Sequence, residues 1–526
     1  MNISEMLAKN ARLYPDDIAL IQINPGENLR QEITWREFDE RANRIANALV
    51  DRGIKKGDKV IHWMRNSTDW LDAYFGIIRT GAWAVPLNYR FTGRDLKYCA
   101  DATEAKVMIL GEDFIESVET VRPQLFTIKK YILAGQSTPE DMEGFEEIID
   151  KSSAKPPEIK LNDEDGCSLY FTSGTTGAAK PILLTHKNME AAAITEKAHH
   201  YQEHDDNFIL IPPLYHAGAK MHWFGSLLVG GRATLLTEID PQYIFETVDK
   251  EMGTIVWLLV PWALDIIKAM DKGELRKENY DLSHWRLMHI GAQPVPPSLI
   301  RRWKEYFPDM QYDTNYGLSE AAGPGCVHLG IENERKIGSI GKAGLGWKTR
   351  IVNKKGENVP QGEAGELLVN GDGVMKQYYM NPEKTAETIK DGWLYTGDLV
   401  REDDEGFIYI VGRKKDVIIS GGENIYPVEV EEILQSHPEI YDVAVIGLPD
   451  ERLIETIAAV IEVKPGKNLT RKEVNEFCEQ NLPRYKQPRH IIFDKVLRNH
   501  VGKIEKSNMR QKYADFKNNL KNLKTR

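Results

Sequence analysis

Between Lys59 and Leu110 the apolar positions switch between two periods. "KVIHWM" is a short apolar run of strand type, and "STDWLDAYFGIIRTG" places its apolar residues at helical spacing. "AWAVPL" is again strand-like, "TGRDLKYCADATEA" is helical, and "KVMIL" returns to a strand. The same rhythm reappears in "FILIPP", "TIVWLLV" and "LMHIGA". Strands alternating with helices predict an α/β fold with parallel-type sheets and covering helices.

Beyond about Gly338 the pattern changes. "GSIGKAGLG", "KTRIVN", "GELLVNG" and "GFIYIVGR" read as short strands separated by glycine turns, a small and mostly antiparallel, barrel-like unit. After Lys414 a compact α+β segment begins. "PVEVEEILQSH" has Pro427 at a helix start, with Val430, Ile433 and Leu434 on one face. "YDVAVIGL", "TIAAVIEV" and "HIIFDKV" are strands, and "TRKEVNEFCEQNL" opens with Thr470 and Glu473 at capping-box spacing. The expected division is a large N-terminal domain, 1–414, and a small C-terminal domain, 415–526, with the boundary at Lys415.

Composition narrows the partners. The chain has 526 residues, enough for a large core and more than one domain. Its net charge of −11 argues against nucleic acid as the main partner, because duplex binding needs a basic face to displace counterions. The cysteines, Cys99, Cys167, Cys326 and Cys478, are few and far apart, which suits small buried side chains and a reducing cytoplasm. "MNISEMLAKNARLYPDD" reads as a short polar-faced helix without a signal-peptide core. The longest apolar run, "TIVWLLVPWALDII", is interrupted by Pro261, carries Asp265 and is too short to span a bilayer, so no integral membrane segment is expected.

The most chemically loaded stretch is "YFTSGTTGAAKPILLTH", residues 170 to 186. It lies between a probable strand, "CSLYF", and a helix beginning after Thr185. Gly174 and Gly177 allow tight turns that expose N–H groups. Ser173, Thr175 and Thr176 add hydroxyls and Lys180 adds a positive charge, a set that can wrap a polyphosphate. The common nucleotide loop has its lysine after a glycine and before a hydroxyl residue. Here Lys180 follows Ala179 and precedes Pro181. By itself the stretch reads equally well as a flexible surface loop.

Other segments decide between those readings. "NYGLSE" puts Glu320 just past a strand end, where a carboxylate can hold Mg²⁺. "GWLYTGDL" presents Asp398 beside a tight turn, "GRKKDVIISGGENIYP" combines Arg413 with a Gly-Gly loop, and "NHVGKIEK" presents Lys503 after a glycine. In this order and spacing the motifs closely resemble those of the acyl-adenylate-forming superfamily, which includes the acyl-CoA synthetases, the adenylation domains of peptide synthetases and firefly luciferase. The resemblance runs from "ITWREFDERANRIANAL" to "GKIEK", nearly the whole chain.

The resemblance implies a role for each matching residue. Thr172, Ser173, Gly174, Thr175, Thr176, Gly177 and Lys180 match the family's phosphate loop, with Ala179 and Pro181 as departures. Gly291, Ala292 and Gln293 correspond to the adenine-side segment, and Tyr316, between Asn315 and Gly317, to the adenine-stacking residue. Ser319 stands where a threonine is usual. Glu320, with Thr176, corresponds to the Mg²⁺ ligands. Asp398 corresponds to the residue that grips the ribose hydroxyls, with Arg413 beside it. Lys415 matches the hinge about which a mobile C-terminal domain swings, and Lys503 the catalytic lysine. His216 in "PPLYHAGA" matches the gate between nucleotide and acyl pockets. Ser420, Gly421 and Gly422 would line a pantetheine tunnel. Arg90, Tyr485 and Lys486 would touch the CoA nucleotide, although Gln487 stands where some relatives are basic.

The implied activity is that of an AMP-forming carboxylate–CoA ligase using ATP, Mg²⁺ and CoA. A stand-alone adenylation enzyme loading a separate acyl carrier protein is the alternative. Gly317 occupies the position of a pocket-closing tryptophan in acetate-activating relatives, which implies an acid larger than acetate: medium-chain, aromatic or alicyclic. Trp223, Trp257, Pro261 and Trp262 fall in segments that line the family's acyl pocket, and equally suit packing in the core. The expected partners are small molecules in the cytoplasm, and the resemblance leaves room for a homodimer.

Overall fold

The alternation between Lys59 and Leu110 folds as the pattern predicts. In the computed structural model, strands Lys59–Trp63, Trp83–Pro86 and Val107–Gly111 lie parallel in one sheet, with helices Thr68–Arg79 and Gly93–Thr103 between them in sequence. Ser67 and Thr92 cap these helices, their side chains accepting from the N–H groups of Trp70 and Asp95. The structure describes residues 1–172, 180–421, 423–450, 452–498 and 504–514.

Two large mixed sheets organise the N-terminal part. One has eight strands, and its hairpin, Gly166–Thr172 with Lys180–Thr185, brackets the Ser/Thr/Gly stretch. The other has nine strands, six of them consecutive and parallel: Gln311–Tyr316, Leu287–Gly291, Ile255–Leu259, Asn207–Leu210, Arg232–Leu236 and Ile18–Asn24. Helices His186–His200 and Ala217–Val229 pack on one another, and residues from both join a large core shared with helix Trp35–Asp51.

The helix expected after Thr185 starts at His186, with Thr185 as its cap. The structure adds strand Lys180–Thr185 within the stretch, ahead of that cap. No helix N-terminus therefore stands at the end of the loop.

The glycine-punctuated region forms a five-stranded antiparallel sheet built on Trp347–Val352, Gly365–Gly371 and Trp393–Glu402. Lys342–Ala343, from "GSIGKAGLG", instead extends the edge of the nine-stranded sheet. Asp398 is also placed differently from expectation. It lies within the ten-residue strand Trp393–Glu402, directly paired with Arg413, and Gly397 before it takes φ +73°.

The C-terminal segment builds its own five-stranded sheet, in which His490–Phe493 runs parallel to Ile454–Val463. Helix Pro427–Gln435 buries Val430 and Leu434 against it. The capping box forms as expected: the Thr470 hydroxyl accepts from the Glu473 N–H, and the Glu473 carboxylate accepts from the Thr470 N–H. All four cysteines are buried and unbridged. Among the described residues no helix is long and apolar enough to cross a membrane.

Candidate active site

The nine-stranded sheet ends in two of the motifs. Gly291 closes strand Leu287–Gly291 and Tyr316 closes its parallel neighbour Gln311–Tyr316. In open α/β sheets ligands bind outside the carboxyl ends of the strands, where adjacent chain segments diverge. The two ends touch: a Cβ added at Gly291 would lie 3.0 Å from Asn315 Oδ1. The next residue, Ala292, is held at φ +68°, a left-handed conformation that costs a residue with a Cβ some strain. Gln293 follows in the same turn.

Tyr316 joins these strand ends to the antiparallel sheet. Its hydroxyl donates to Asp398 Oδ2 at 2.5 Å, while Arg413 Nε donates to Asp398 Oδ1 at 2.6 Å. Burial, and then the Asp398 charge, push the Tyr316 phenol well above its ordinary range, so it remains a donor. Three residues separated by up to 97 positions, as the numbers 316 and 413 show, thus meet on one carboxylate.

Glu320 is brought to the hairpin by an element that sequence patterning does not reveal. The two-residue strand Gln377–Tyr378 pairs with Ile182 and Leu183 of the hairpin's outer strand. From there the Tyr378 hydroxyl donates to Glu320 Oε1 at 2.8 Å, and the Met375 N–H donates to the Glu320 carbonyl at 2.8 Å. Burial and the neighbouring carboxylate keep the Tyr378 phenol protonated. Only the aromatic pair "YY" hints at it locally. Thr172 and Lys180 sit at the two mouths of the hairpin, where the Thr172 hydroxyl donates to the Lys180 carbonyl at 3.3 Å. Ser319 opens the short 3₁₀ turn that carries Glu320. Ser173, Gly174, Thr175, Thr176 and Gly177 lie outside the described residues, as do Gly422 and Lys503.

The expected acyl side is closely packed. His216 immediately precedes helix Ala217–Val229 and contacts the Tyr215 ring, with centroids 4.3 Å apart. Gly218, the second residue of that helix, faces the indole edge of Trp257: a Cβ there would stand 3.5 Å from Trp257 and 3.8 Å from the Gly323 carbonyl. A Cβ on Gly317 would fall 2.3 Å from the Gly323 carbonyl oxygen. That direction leads into backbone, so Gly317 answers to a close approach of two chain segments rather than opening free space. Trp223 is fully buried, edge-on to Phe75 at 6.4 Å, in the same core as Trp257. Pro261 lies in the first turn of helix Val260–Asp271, and Trp262 after it packs on a different core. Trp223 and Trp257 thus share one core, and Trp262 packs on another.

Helix Ala217–Val229 also carries Lys220, a residue that sequence reasoning did not single out. Its ammonium is fully buried, 4.5 Å from the Tyr170 ring centroid and 5.0 Å from that of Tyr74. Burial holds it well below its ordinary range.

Of the expected CoA contacts, Arg90 lies over the Tyr89 ring at 5.1 Å, and Tyr89 meets Tyr215 edge-on at 5.5 Å. A row of rings thus links Arg90 to His216. Ser420 ends strand Ile418–Ser420, and Gly421 turns the chain at φ +62°. Tyr485 is half exposed, whereas the Lys486 ammonium is engaged by Glu429 at 2.5 Å within the same C-terminal unit. Lys415 lies in the turn between strands Ile408–Arg413 and Ile418–Ser420, beside Asp416, whose carboxylate pairs with Arg510 at 2.6 Å.

Comparison with known proteins places this arrangement. The model of the AMP-binding enzyme family matches residues 7–379, and that of the AMP-binding enzyme C-terminal domain matches residues 429–503. The chain is 33% identical over 486 residues to a feruloyl-CoA synthase of Amycolatopsis sp, covering 92% of this chain and 94% of the relative. It is 31% identical over 518 residues to the long-chain-fatty-acid–CoA ligase FadD13 of Mycobacterium tuberculosis, covering 98% and 99%. The crystal structure of ATP-bound MatB from Rhodopseudomonas palustris superposes with a TM-score of 0.88 at 26% identity, covering 98% of this chain and 100% of that one. With matches spanning both halves of the chain, the protein belongs to the AMP-binding enzyme family.

Proposed function

We propose that the protein is an AMP-forming carboxylate–CoA ligase. The observation that carries this reading is that two carboxylates are each held by a buried phenol around one short segment: Asp398 by Tyr316, and Glu320, four residues after Tyr316, by Tyr378, whose strand is laid on the hairpin. Asp398, with Arg413, grips the ribose hydroxyls, and the turn Gly291–Gln293 borders the adenine. The loop between Thr172 and Lys180 holds the β- and γ-phosphates as they depart as pyrophosphate.

The reaction joins two anions, a carboxylate and the α-phosphate of ATP. Glu320 suits Mg²⁺, because an oriented carboxylate supplies the hard oxygen donor that ion requires, with Thr176 adding a hydroxyl. When bound, the ion offsets the charge that grows on the departing pyrophosphate. Lys503 contributes an ammonium at the same stage. His216 separates the nucleotide from the acyl group.

In the second half-reaction the C-terminal domain turns about Lys415, withdrawing Lys503 and bringing Ser420, Gly421 and Gly422 to the pantetheine path. Glycines suit a narrow channel because no side chain obstructs it. Arg90 and Tyr485 touch the CoA nucleotide. Lys486 joins them only after leaving Glu429. The acid is larger than acetate, of aromatic, alicyclic or medium-chain aliphatic type, and Trp257 beside Gly218 borders it. The four buried thiols suit a reducing cytoplasm.

A panel of carboxylic acids assayed for pyrophosphate release, with and without CoA, tests the reading. AMP and pyrophosphate in equal amounts, with acyl-CoA formed when CoA is present, are expected. Conversion of ATP to ADP and orthophosphate, without AMP for any acid, overturns it. Turnover that needs a carrier protein in place of CoA replaces the ligase by the adenylating enzyme.

A further inference from the structure

Behind the nucleotide side of the nine-stranded sheet lies a cluster of ionisable groups that the proposed reaction does not use. Glu196 and His200 project from helix His186–His200, and His222 from helix Ala217–Val229. His289, Asp313 and His328 come from three neighbouring strands. His222 and His328 are 2% exposed and the other four are fully buried. No local sequence motif unites them, apart from the i, i+4 pair Glu196 and His200 on one helix face.

Most of the cluster is mutually paired. His200 Nε2 lies 2.8 Å from Asp313 Oδ2, and His328 Nδ1 lies 3.0 Å from the same oxygen. Glu196 Oε2 lies 3.2 Å from His200 Nδ1 and 2.9 Å from His222 Nδ1, and Glu196 Oε1 lies 3.3 Å from His328 Nε2. The Glu196 contacts are ion-pair distances only: both Glu196 oxygens, His200 Nδ1, His222 Nδ1 and His328 Nε2 have no hydrogen-bond partner among the described residues. His289 is wedged between His200 and His222, with ring centroids 4.5 and 4.4 Å away. Neither of its ring nitrogens has a hydrogen-bond partner among the described residues. A buried imidazole must present at least one nitrogen to a partner or forgo the hydrogen bonds it made in water.

We propose that Glu196, His200 and His289 form a structural binding site for a borderline divalent cation, Zn²⁺ being the natural occupant. One ligand atom from each of the three lies within 4.8 Å of the other two. Zinc bonds of about 2.0–2.1 Å to nitrogen or oxygen in a tetrahedron separate the donors by about 3.3 Å. The 3.2 Å between Glu196 Oε2 and His200 Nδ1 matches that separation. One carboxylate and two imidazoles form a donor set characteristic of zinc. The remaining nitrogen of His200 meets Asp313, the outer hydrogen bond that fixes tautomer and ring orientation in metal-bound histidines. His222 Nδ1 stands beside the same Glu196 oxygen as a further donor.

Full burial makes the site closed, so it takes up its ion during folding and binds no substrate. It is distinct from the Mg²⁺ position at Glu320 in both place and chemistry. Its placement gives it a task. His289 and Asp313 are each two residues, about 7 Å of strand, before Gly291 and Asn315, the strand ends that border the nucleotide. An ion there cross-links helix His186–His200 to strand Leu287–Gly291, which leads into the adenine segment.

The test is metal content of the purified full-length protein, grown with added Zn²⁺, dialysed exhaustively against EDTA and analysed without nucleotide. Close to one Zn²⁺ per chain is expected, with Co²⁺-grown protein showing the visible absorption of a tetrahedral cobalt site. His289→Phe and Glu196→Gln should lose the ion, and Asp313→Asn should weaken its retention about 10- to 100-fold. Folded wild-type protein carrying no stoichiometric metal, with a thermal midpoint unmoved by zinc or by a strong chelator, overturns the proposal. So does metal retained at one equivalent in folded His289→Phe. Should the variants fail to fold, the wild-type stoichiometry and cobalt spectrum alone decide.

Discussion

Two successive rungs of one sheet face serve opposite ends. The inner rung is Trp257, His289 and Asp313, paired across three parallel strands. The outer rung is Leu259 and Gly291, with Asn315 beside them. The side-chain period of two puts both rungs on the same face. The inner rung is bulky, titratable and buried, and is matched by carboxylate and imidazole groups from two helices. The outer rung has a glycine and an amide at the strand ends, where the backbone must come close to a ligand. The difference teaches that one strand pair can carry both a reservoir of buried charge and the rim of the proposed nucleotide site, because one side-chain repeat along the strands separates them.

The sharpest way to break that comparison is to remove the charge from the inner rung. Asp313 accepts from His200, His328 and the Gly330 N–H. Asp313→Asn removes the carboxylate that two buried imidazoles share and should destabilise the protein by about 3–5 kcal/mol, read by urea denaturation. Asn315→Ala, one rung out, should change nucleotide KM with little loss of stability. Similar stability losses in both would erase the distinction.

On the outer side, Glu320→Gln should lower kcat/KM for pyrophosphate release about 100- to 1000-fold, about 3–4 kcal/mol of transition-state stabilisation, while the urea midpoint stays near wild type. An unchanged rate would remove Glu320 from the reacting set.

A third probe concerns a histidine outside both rungs. His186, the first residue of helix His186–His200, is fully buried, and burial holds its imidazole down to about 4 from the ordinary 6.5. Below about pH 6.5 the unfolded chain takes up a proton that the native chain does not, so stability is fully present above that pH and falls as pH drops towards about 4. His186→Phe should flatten this acid limb by about 3 kcal/mol, seen as a smaller loss of thermal midpoint between those pH values. The smallest effect expected is that of Tyr378→Phe. Losing one hydrogen bond to the Glu320 carboxylate should cost about 10-fold in kcat/KM, recoverable in part at high Mg²⁺.

Much of the candidate site was legible because it consists of short contiguous motifs. Thr172 to Lys180, Tyr316 to Glu320, Asp398 and Arg413 each stand in a local pattern that resembles the family's. Tyr378 was not legible, because its role comes from a two-residue strand laid on a distant hairpin. Neither was the filled space beside Gly317, because the carbonyl of Gly323 reaches it through a turn that periodicity does not describe. The strand Lys180–Thr185 was hidden by Pro181 and by the helix cap that follows it. Pro181 is tolerated there because the chain simply leaves the loop into a hairpin.

The succession of strands and helices along the chain, the capping box at Thr470 and the motifs that resemble the family's were determined by sequence alone, since each rests on spacing within a few residues. Which residues share a carboxylate, which tryptophan faces Gly218, and the gathering of Glu196, His200, His289 and Asp313 were decided only by tertiary structure. Those contacts join segments up to 117 positions apart, as 196 and 313 show. No local period encodes them; they follow from the stacking of helices on a sheet whose strand order differs from chain order.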